Sequence, residues 1–342
     1  MFYPKSLKKG YKIGVSAPSA GLSSNPDQAR LESGVKHFQE LGYPVILTEH
    51  VRSDERGASA SGKVRAKELT ELFLNPEVRA VIAASGGDFL MQMLSELDLD
   101  VIKRNPKWLQ GFSDITCLNF TVTTNLDIAT LYANNFSSFG MKNWHSSLYE
   151  NIRIIEGENP VQHSFDFYQD GYRPRITGLE EFDTDTPVKW INFTPEGRIT
   201  EEELVMSGRM LGGNLDVCLN LVGTRFDQVS QFVHRYQEDK ILWFLESYSL
   251  DSSELIRGLW QLKEAGWFQH AAGFIFGRPA IFAEQNGITY TEAIQIGLEE
   301  LHLPVILDAD IGHKSPQMTI MNGAIAEIRS CGGKGSITFE RR

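Results

Sequence analysis

WLQGFSDITC, residues 108–117, has the pattern of a buried strand that turns abruptly into a helix, with Ser113 at the corner. Ile115 and Leu118 continue the apolar pattern at helical spacing, and either Ser113 or Asp114 can cap the helix by accepting a hydrogen bond from a backbone N–H. A hydroxyl at this corner is exposed, and the first N–H groups of the helix point toward negative charge that develops beside it. An acyl-transfer nucleophile needs this arrangement, whereas a plain helix N-cap is the simpler interpretation of the same residues.

The alternation of short apolar strands with helices around this stretch predicts an α/β fold. Apolar runs such as 45–47 and 80–84 are separated by helical segments, a rhythm typical of a mainly parallel sheet covered by helices on both faces. Such sheets bind ligands beyond the carboxyl ends of their strands. Gly86 and Gly87 closely follow the second of these runs, so we expect them at the same sheet edge as Ser113.

The length of the chain predicts two domains. Its 342 residues exceed the usual size of one domain, and 42% hydrophobic residues can supply two cores. We place an N-terminal α/β domain that carries the serine at 1–165 and a smaller, β-rich α/β domain at 204–342. The segment 166–203 is polar and contains several prolines, so it is predicted to connect the two domains. It carries Trp190 in a short apolar patch, for which burial in a core and stacking on a ligand both stay open.

The composition excludes several classes of partner. The formal net charge of −11 argues against nucleic acid and anionic membranes, which would repel an acidic protein, so a small molecule is the expected ligand. The three cysteines are odd in number and lie far apart, which fits a reducing compartment. The chain shows no signal-peptide pattern and no apolar run of membrane-spanning length, so the cytoplasm is the expected location.

No cofactor is predicted. The eight histidines form no H-x-x-x-H or H-x-H pair, and none lies beside a cysteine, so their local spacing indicates no metal site. The G-x-G-x-x-G and Walker patterns that bind dinucleotides and phosphates are missing as well.

Three residues in loops after predicted strands supply the chemistry of a serine hydrolase. Ser113 is the candidate nucleophile, Glu246 follows the apolar strand at 241–245, and His313 follows the strand at 305–307. Serine hydrolysis needs a histidine to take the proton of the hydroxyl and a carboxylate to stabilise the imidazolium. The order serine, acid, histidine matches α/β-hydrolases, but their G-x-S-x-G elbow lacks its second glycine here, so a simple esterase is disfavoured.

Four motifs resemble one known family. Gly-Phe-Ser-Asp-Ile-Thr at 111–116, Gly-Gly-Asn-Leu at 212–215, Leu-Glu at 245–246 and Gly-His-x-x-Pro-Gln at 312–317 resemble the LD-carboxypeptidase family of serine peptidases. That family includes the microcin C immunity peptidases. The opening of the chain and the block 65–87 are similar to it too, so the resemblance spans nearly the whole chain.

The resemblance implies a role for each motif. It implies the same triad, with Ser113 as nucleophile, His313 as general base and Glu246 as the partner of the histidine. It also implies an oxyanion hole made by the backbone N–H groups of Asp114 and of Gly86 or Gly87. Asn214, from the second motif, is expected to contact the substrate. An N-terminal α/β sheet domain with the serine, a β-rich C-terminal domain with the acid and the histidine, and a homodimer follow from the same resemblance.

Two departures from the family pattern bear on the substrate. Many LD-carboxypeptidases have an arginine before the paired glycines and a tyrosine after them, where this chain has Ser85 and Asp88. Many also have a His-Gly-Pro segment where this chain has Ala-Asn-Asn-Phe at 133–136. These changes leave the triad intact and put specificity for murein tetrapeptides in doubt. The segment with Trp190 is more similar to the microcin immunity branch, which cleaves the amide-type bond of aminoacyl-nucleotide analogues and holds the base against an aromatic loop.

We therefore expect a serine peptidase of the microcin immunity type, acting on a small peptide or an aminoacyl nucleotide. Trimming of murein tetrapeptides in cell-wall recycling is the alternative within the family. A non-catalytic α/β protein that binds a small ligand is the alternative from another class. A cysteine-based, amidotransferase-like enzyme would use Cys117, but that residue lies about one helical turn beyond the corner and is expected inside the helix.

Overall fold

The chain folds into two compact units, and a computed structural model describes all 342 of its residues. The N-terminal unit comprises Met1–Pro160 and Arg173–Phe182, and the C-terminal unit comprises Val161–Tyr172 and Asp183–Arg342. The polar segment 166–203 is therefore shared between the two units and does not form a separate connection.

The N-terminal unit holds its share of that segment through Arg30. The buried guanidinium of Arg30 donates to the carbonyls of Gly178 and Glu180, with N–O distances of 2.9 and 2.8 Å. The N–H of Lys142 also donates to the carbonyl of Leu179 at 3.0 Å. These contacts join residues far apart in sequence, so composition alone did not indicate them.

Five strands and six α-helices build the N-terminal unit. In chain order they are β1 (Lys12–Ser16), α1 (Asn25–Glu40), β2 (Val45–Leu47), α2 (Gly62–Leu74), β3 (Val78–Ala83), α3 (Met91–Leu94), α4 (Leu99–Arg104), β4 (Trp108–Gly111), α5 (Thr116–Leu126), β5 (Thr130–Tyr132) and α6 (Ser146–Ile155). Short 3-10 helices lie at Glu49–Arg52, Ser113–Ile115 and Phe136–Gly140.

These five strands pair in parallel in the order β5-β4-β3-β1-β2. Most residues of β1, β3 and β4 are buried, as a parallel sheet covered on both faces requires. The predicted parallel α/β sheet is thereby confirmed. Because all the strands run the same way, their carboxyl ends meet at one edge, where the loops carrying Gly86 and Ser113 leave β3 and β4.

The C-terminal unit is richer in strands. In chain order its elements are β6 (Gln162–His163), β7 (Phe167–Tyr168), β8 (Thr186–Pro187), β9 (Ile191–Phe193), β10 (Ile199–Thr200), β11 (Leu204–Asn214), α7 (Leu215–Leu221), α8 (Val229–Arg235), β12 (Ile241–Glu246), α9 (Ser252–Glu264), β13 (Ala271–Gly277), α10 (Tyr290–Leu298), β14 (Val305–Ala309), β15 (Ile320–Asn322), β16 (Ile325–Cys331) and β17 (Lys334–Glu340). A 3-10 helix follows α10 at Glu299–Leu301.

Nine of these strands form one mixed sheet in the order β10-β9-β14-β13-β12-β11-β16-β17-β6. The central four, β11 to β14, are parallel, and the outer ones are antiparallel. Every residue of β12 is buried, including its last one, Glu246. The predicted β-rich α/β character of this part of the chain is confirmed, and the parallel centre brings the ends of β11 and β12 side by side.

Among the helices, none combines the length and the apolar composition that crossing a bilayer requires.

Candidate active site

Ser113 occupies a strained corner between β4 and the helix that follows. It opens the 3-10 helix Ser113–Ile115, which continues directly into α5, and its φ is +66°, in the left-handed region that L-residues with a side chain seldom adopt. Such a conformation costs about 1–3 kcal/mol and persists where the surroundings enforce it, often at functional sites. Here the Ser113 N–H donates to the hydroxyl of Tyr132 at 3.3 Å. The predicted strand-to-helix corner is present, and it holds the hydroxyl in a defined place.

Asn135 supports this corner. Its Oδ1 accepts a hydrogen bond from the N–H of Phe112 at 3.1 Å, and a Cβ added to Gly111 would come within 2.8 Å of the same oxygen. Asn135 belongs to the Ala-Asn-Asn-Phe segment that departs from the family pattern. The sequence marked that segment as unusual but gave no sign that its second asparagine positions the serine.

The first of the paired glycines, Gly86, lies beside the serine. A Cβ built on Gly86 would sit 3.1 Å from both Cβ and Oγ of Ser113, so the absence of a side chain lets the backbone approach the hydroxyl. Gly87 has φ +148°, and its Cβ would meet Ser19 Oγ at 2.4 Å. The Gly86 carbonyl accepts from the Ala20 N–H at 3.1 Å, which holds this loop in place. Of the two glycines, Gly86 is the one at which a side chain would collide with the serine side chain.

Asp114 anchors the corner through its side chain. The carboxylate is buried and accepts hydrogen bonds from the hydroxyl of Ser19 and from the N–H of Leu90, the latter at 2.9 Å. Burial raises the pKa of Asp114, and these two hydrogen bonds partly oppose that change. The side chain therefore ties the start of the helix to two other loops, which leaves only the backbone of Asp114 for the predicted oxyanion role.

Glu246 and His313 form a pair in the C-terminal unit, in which the glutamate is fully buried and the histidine is partly exposed. The Oε2 atom of Glu246 lies 2.8 Å from Nδ1 of His313, and Oε1 accepts from Nδ2 of Asn214 at 3.0 Å. Burial disfavours the charged imidazole, but the charge and hydrogen bond of Glu246, with a further charge from Asp216, raise the pKa of His313 above its ordinary value. We assign the Nδ1 proton to the bond with Glu246, so Nε2 is the nitrogen that can accept a proton.

Asn214 is a neighbour of the glutamate. It ends β11 directly opposite Glu246 in the parallel register, and its Oδ1 accepts from the Val217 N–H at 3.1 Å as the N-cap of α7. The side chain is 1% exposed. Sequence reasoning expected Asn214 to contact substrate, and the structure gives it a direct contact with the acid.

Tyr248 and Asp216 are residues of this region that sequence reasoning missed. The ring of Tyr248, which is 47% exposed, lies with its centroid 4.9 Å from that of His313. Asp216 accepts from the N–H groups of Tyr248 and Ser249 at 2.9 and 3.0 Å, which orders the loop after β12. The position of Asp216 two residues after Asn214 was the only signal in the sequence.

Gly312 leaves the space that the carboxylate of Glu246 fills. Its φ is +94°, and an added Cβ would lie 2.6 to 2.7 Å from Cγ, Cδ and Oε2 of Glu246.

We expect Gly312→Ala to lower kcat/KM at least tenfold, because the new methyl group must displace Glu246 or the loop that carries His313. Gly287, which has φ +71° and nothing within 4 Å of its Cβ, provides the matched control. Gly287→Ala should cost only about 1 kcal/mol from the left-handed backbone and leave kcat/KM unchanged. Equal activity of the two variants would contradict this role for Gly312.

Trp190 lies in the interior of the C-terminal unit. The side chain is 2% exposed, its Nε1 donates to Oδ2 of Asp310 at 3.1 Å, and a Cβ on Gly335 would lie 2.1 Å from the ring. These are the contacts of a core residue, and they leave no ring face open for stacking on a ligand. The burial interpretation of this apolar patch therefore fits the structure, and the stacking interpretation does not.

The burial of Trp190 predicts that its replacement by alanine destabilises the fold. We expect Trp190→Ala to lower the free energy of unfolding by about 3–5 kcal/mol, since it opens a large cavity and leaves Asp310 without its indole donor. Chemical denaturation gives this value directly. Cleavage of a nucleotide substrate and of a peptide substrate should fall by the same factor when both are corrected for folded protein. A selective loss on the nucleotide substrate at unchanged stability would contradict this assignment.

Cys117 lies inside α5 and is 1% exposed. Burial is the largest cause of a strong rise in its pKa, and the nearby charge of Asp114 adds to it. A catalytic cysteine needs accessible thiolate, so this environment argues against the amidotransferase-like alternative.

The chain matches known protein families in both of its halves. Residues 13–133 match the LD-carboxypeptidase N-terminal domain, and residues 207–328 match the LD-carboxypeptidase C-terminal domain. A putative carboxypeptidase of Bacillus subtilis is 25% identical over 99% of both chains. A probable murein peptide carboxypeptidase of the same organism is 24% identical over 96% of this chain and 92% of that protein. The microcin C7 self-immunity protein MccF of Escherichia coli is also 24% identical, over 90% and 86% of the two chains.

Solved structures with the same fold cover the full chain. An MccF-like protein from Bacillus anthracis is 28% identical with a TM-score of 0.82, and 100% of each chain is covered. MccF in complex with aspartyl sulfamoyl adenosine is 22% identical with a TM-score of 0.81, covering 100% of this chain and 99% of that one. A muramoyltetrapeptide carboxypeptidase from Oxalobacter formigenes is 18% identical with a TM-score of 0.73, covering 96% and 99%.

Proposed function

Since the chain belongs to the LD-carboxypeptidase family and is thus a peptidase-like hydrolase, we propose that Ser113, His313 and Glu246 are its catalytic triad. The observation that carries the proposal is the pairing of the buried Glu246 with His313, with 2.8 Å between Oε2 and Nδ1. A carboxylate in this position orients the imidazole and stabilises its charged form, which is the task of the acid in serine hydrolysis. The strained corner at Ser113 supports the serine as nucleophile.

The mechanism follows from the assigned atoms. Oγ of Ser113 attacks the substrate carbonyl while Nε2 of His313 takes its proton, and the raised pKa of the histidine favours the imidazolium that forms. Negative charge on the carbonyl oxygen is stabilised by backbone N–H groups of Asp114 and Gly86. The imidazolium then protonates the leaving amine. In the second half of the reaction the neutral imidazole takes a proton from water, which attacks the acyl carbon, and the imidazolium returns a proton to Oγ of Ser113 as the carboxylic acid is released. Gly86 is the better candidate of the two glycines because a Cβ on Gly86, and not one on Gly87, would meet the side chain of Ser113.

For the substrate, we propose the amide-type bond of an aminoacyl-nucleotide analogue, as in the microcin immunity branch. The 28% identity and TM-score of 0.82 to an MccF-like protein support this choice. The departures at Ser85, Asp88 and 133–136 support it too, because they differ from the pattern of many LD-carboxypeptidases, and Asn135 in the last of them bonds to the backbone of Phe112 beside the serine. Trp190 gives no support to a nucleotide substrate, since its indole is buried. The homodimer and the cytoplasmic location stay predictions.

Trimming of a murein tetrapeptide is the second candidate. The identity of 24% to a probable murein peptide carboxypeptidase over 96% of this chain favours it. Both substrates release a group from an amide-type bond, so the triad chemistry is the same and only the pocket around it differs.

One experiment separates these candidates. The purified protein is incubated with aspartyl sulfamoyl adenosine in one tube and with a murein tetrapeptide in another, and the products are followed by mass spectrometry. We expect cleavage of the sulfamoyl adenosine, and none by Ser113→Ala. Cleavage of the tetrapeptide alone would support the murein function. No turnover of either, with tight binding of one, would support the non-catalytic ligand-binding alternative.

A further inference from the structure

Three potential metal ligands come together in the N-terminal unit outside the proposed triad. Glu49 and His50 open the 3-10 helix that follows β2, and Glu68 lies in the middle of α2. Each side chain offers one ligand atom, and these atoms all lie within 4.8 Å of one another. The local spacing rules gave no metal site because His50 and Glu68 are 18 residues apart in sequence.

Glu68 is the unusual member of this cluster. Its side chain is only 8% exposed, and its Oε1 atom takes both contacts with His50, 3.1 Å from the backbone N–H and 2.6 Å from Nδ1. Its other oxygen, Oε2, is buried and has no hydrogen-bond partner. A buried carboxylate oxygen without a donor is costly, and nearly all such atoms in folded proteins have a partner. A simple His-Glu ion pair accounts for Oε1 but leaves Oε2 without one.

We propose that Glu49, His50 and Glu68 form a binding site for a divalent cation of the zinc type. An imidazole nitrogen with two carboxylates is a donor set that zinc accepts, usually with water as the fourth ligand. Calcium and magnesium prefer sites made of oxygen alone, so the histidine selects against them. Two carboxylates also balance the charge of a dication, and a cation bound here would give the buried Oε2 atom of Glu68 the partner that it lacks.

The donor atoms need only a small adjustment to bind zinc. Zinc–nitrogen and zinc–oxygen distances are about 2.0–2.2 Å, which places two tetrahedral ligand atoms about 3.3–3.5 Å from each other. Ligand atoms at the 4.8 Å limit must therefore draw closer, whereas Nδ1 of His50 and Oε1 of Glu68, now 2.6 Å apart, must separate slightly. Glu49 is exposed and the side chain of His50 is 33% exposed, so both can move toward the buried Glu68. Binding would replace the direct hydrogen bond between His50 and Glu68 with two bonds to the metal.

The position of the cluster defines what the cation can do. The cluster follows β2, which is three strands away from β4 in the sheet order, or about 15 Å at the usual spacing of strands. A cation there is too far from Ser113 to polarise a substrate carbonyl. It would instead join the loop after β2 to α2 and stabilise residues 49–68, so we expect a structural site.

Calorimetric titration tests the proposal. The full-length protein is stripped with a chelator, dialysed, and titrated with zinc chloride, and the same is done for His50→Ala, Glu68→Gln and Glu71→Gln. Glu71 lies on the same helix, is exposed and pairs only with Lys67 at 3.7 Å, so it serves as the matched control. We expect one equivalent of zinc in the wild type and in the control, with dissociation constants within about twofold. His50→Ala and Glu68→Gln should each weaken binding by about tenfold or more.

A second measurement distinguishes this site from non-specific binding of zinc to surface histidines. Zinc should raise the melting temperature of the wild type and of Glu71→Gln but not of Glu68→Gln. Cobalt in place of zinc should give the visible absorption of a four-coordinate site. The proposal is overturned by the absence of a one-equivalent site, or by equal affinities of Glu68→Gln and Glu71→Gln. If circular dichroism shows that Glu68→Gln does not fold, His50→Ala takes its place in both comparisons with Glu71→Gln, because the side chain of His50 is 33% exposed.

Discussion

Ser113→Ala is expected to lower kcat/KM by roughly 10⁴- to 10⁶-fold, because the proposed mechanism has no other atom that can attack the carbonyl. The loss should appear in kcat, while the substrate still binds. Steady-state kinetics with both candidate substrates measure it. Labelling with a serine-directed phosphonate, followed by peptide mass spectrometry, should place the adduct on Ser113 in the wild type and give none in the variant.

The positive φ of Ser113 provides a sharp control. Alanine tolerates φ +66° no better than serine does, so Ser113→Ala should unfold at nearly the same temperature as the wild type. Glycine adopts this conformation without cost, so Ser113→Gly should be more stable than Ser113→Ala by up to about 1 kcal/mol and equally inactive. Substantial turnover in either variant would rule out Ser113 as nucleophile.

Glu246→Gln is expected to lower kcat by about 10²- to 10⁴-fold, through loss of the charge that stabilises the imidazolium and fixes the histidine tautomer. The amide is close in size to the carboxylate, so the contact with Asn214 and the space beside Gly312 stay filled. Glu284→Gln, at an exposed position of the same unit, is the matched control and should keep full activity. Similar losses in the two variants would contradict a specific role for Glu246.

The same substitution makes a prediction for pH dependence. The charge of Glu246 is a main cause of the raised pKa of His313, and catalysis needs the neutral imidazole, so activity should fall as the pH drops through that raised pKa. In Glu246→Gln the acid limb of the pH–activity profile should move to lower pH. If the acid limb of the pH–activity profile is the same in the wild type and in Glu246→Gln, a group other than His313 controls the loss of activity at low pH.

The stability of the fold should depend on pH in the opposite direction to the activity. The ion pair of Glu246 with His313 stabilises the fold fully below the ordinary histidine pKa of about 6.5, and its contribution is lost as the pH rises through the raised pKa.

Much of the fold follows from patterns that act over a few residues. The apolar runs at β1, β3 and β4 and the helices between them predicted a parallel sheet, and the structure has one. The corner at Ser113 was also visible, because a strand pattern stops and a helix pattern starts within three residues. The division of the segment 166–203 between the units was not visible, since it depends on contacts such as Arg30 with Gly178, 148 residues apart.

Some residues of the candidate site could also be predicted from the sequence, and others could be found only in the structure. Residue type and chain order pointed to Glu246 and His313, and the structure joins them across 67 residues. Chain order carried no information on Tyr248 beside the histidine or on Asn135 beside the serine. Trp190 is the clearest case, because its burial, its bond to Asp310 and the close approach of Gly335 to its ring are what distinguish core burial from ligand stacking.

Local patterns in the sequence were enough to identify the α/β class, the family and the candidates for nucleophile, base and acid, because strand and helix periodicity and short motifs are local properties of the chain. The tertiary structure decided which side chains meet: the pairing of Glu246 with Asn214 and His313, the burial of Trp190, and the cluster of His50 and Glu68. These contacts depend on strand register and on packing between residues distant in sequence, and no pattern within one helix or strand encodes them.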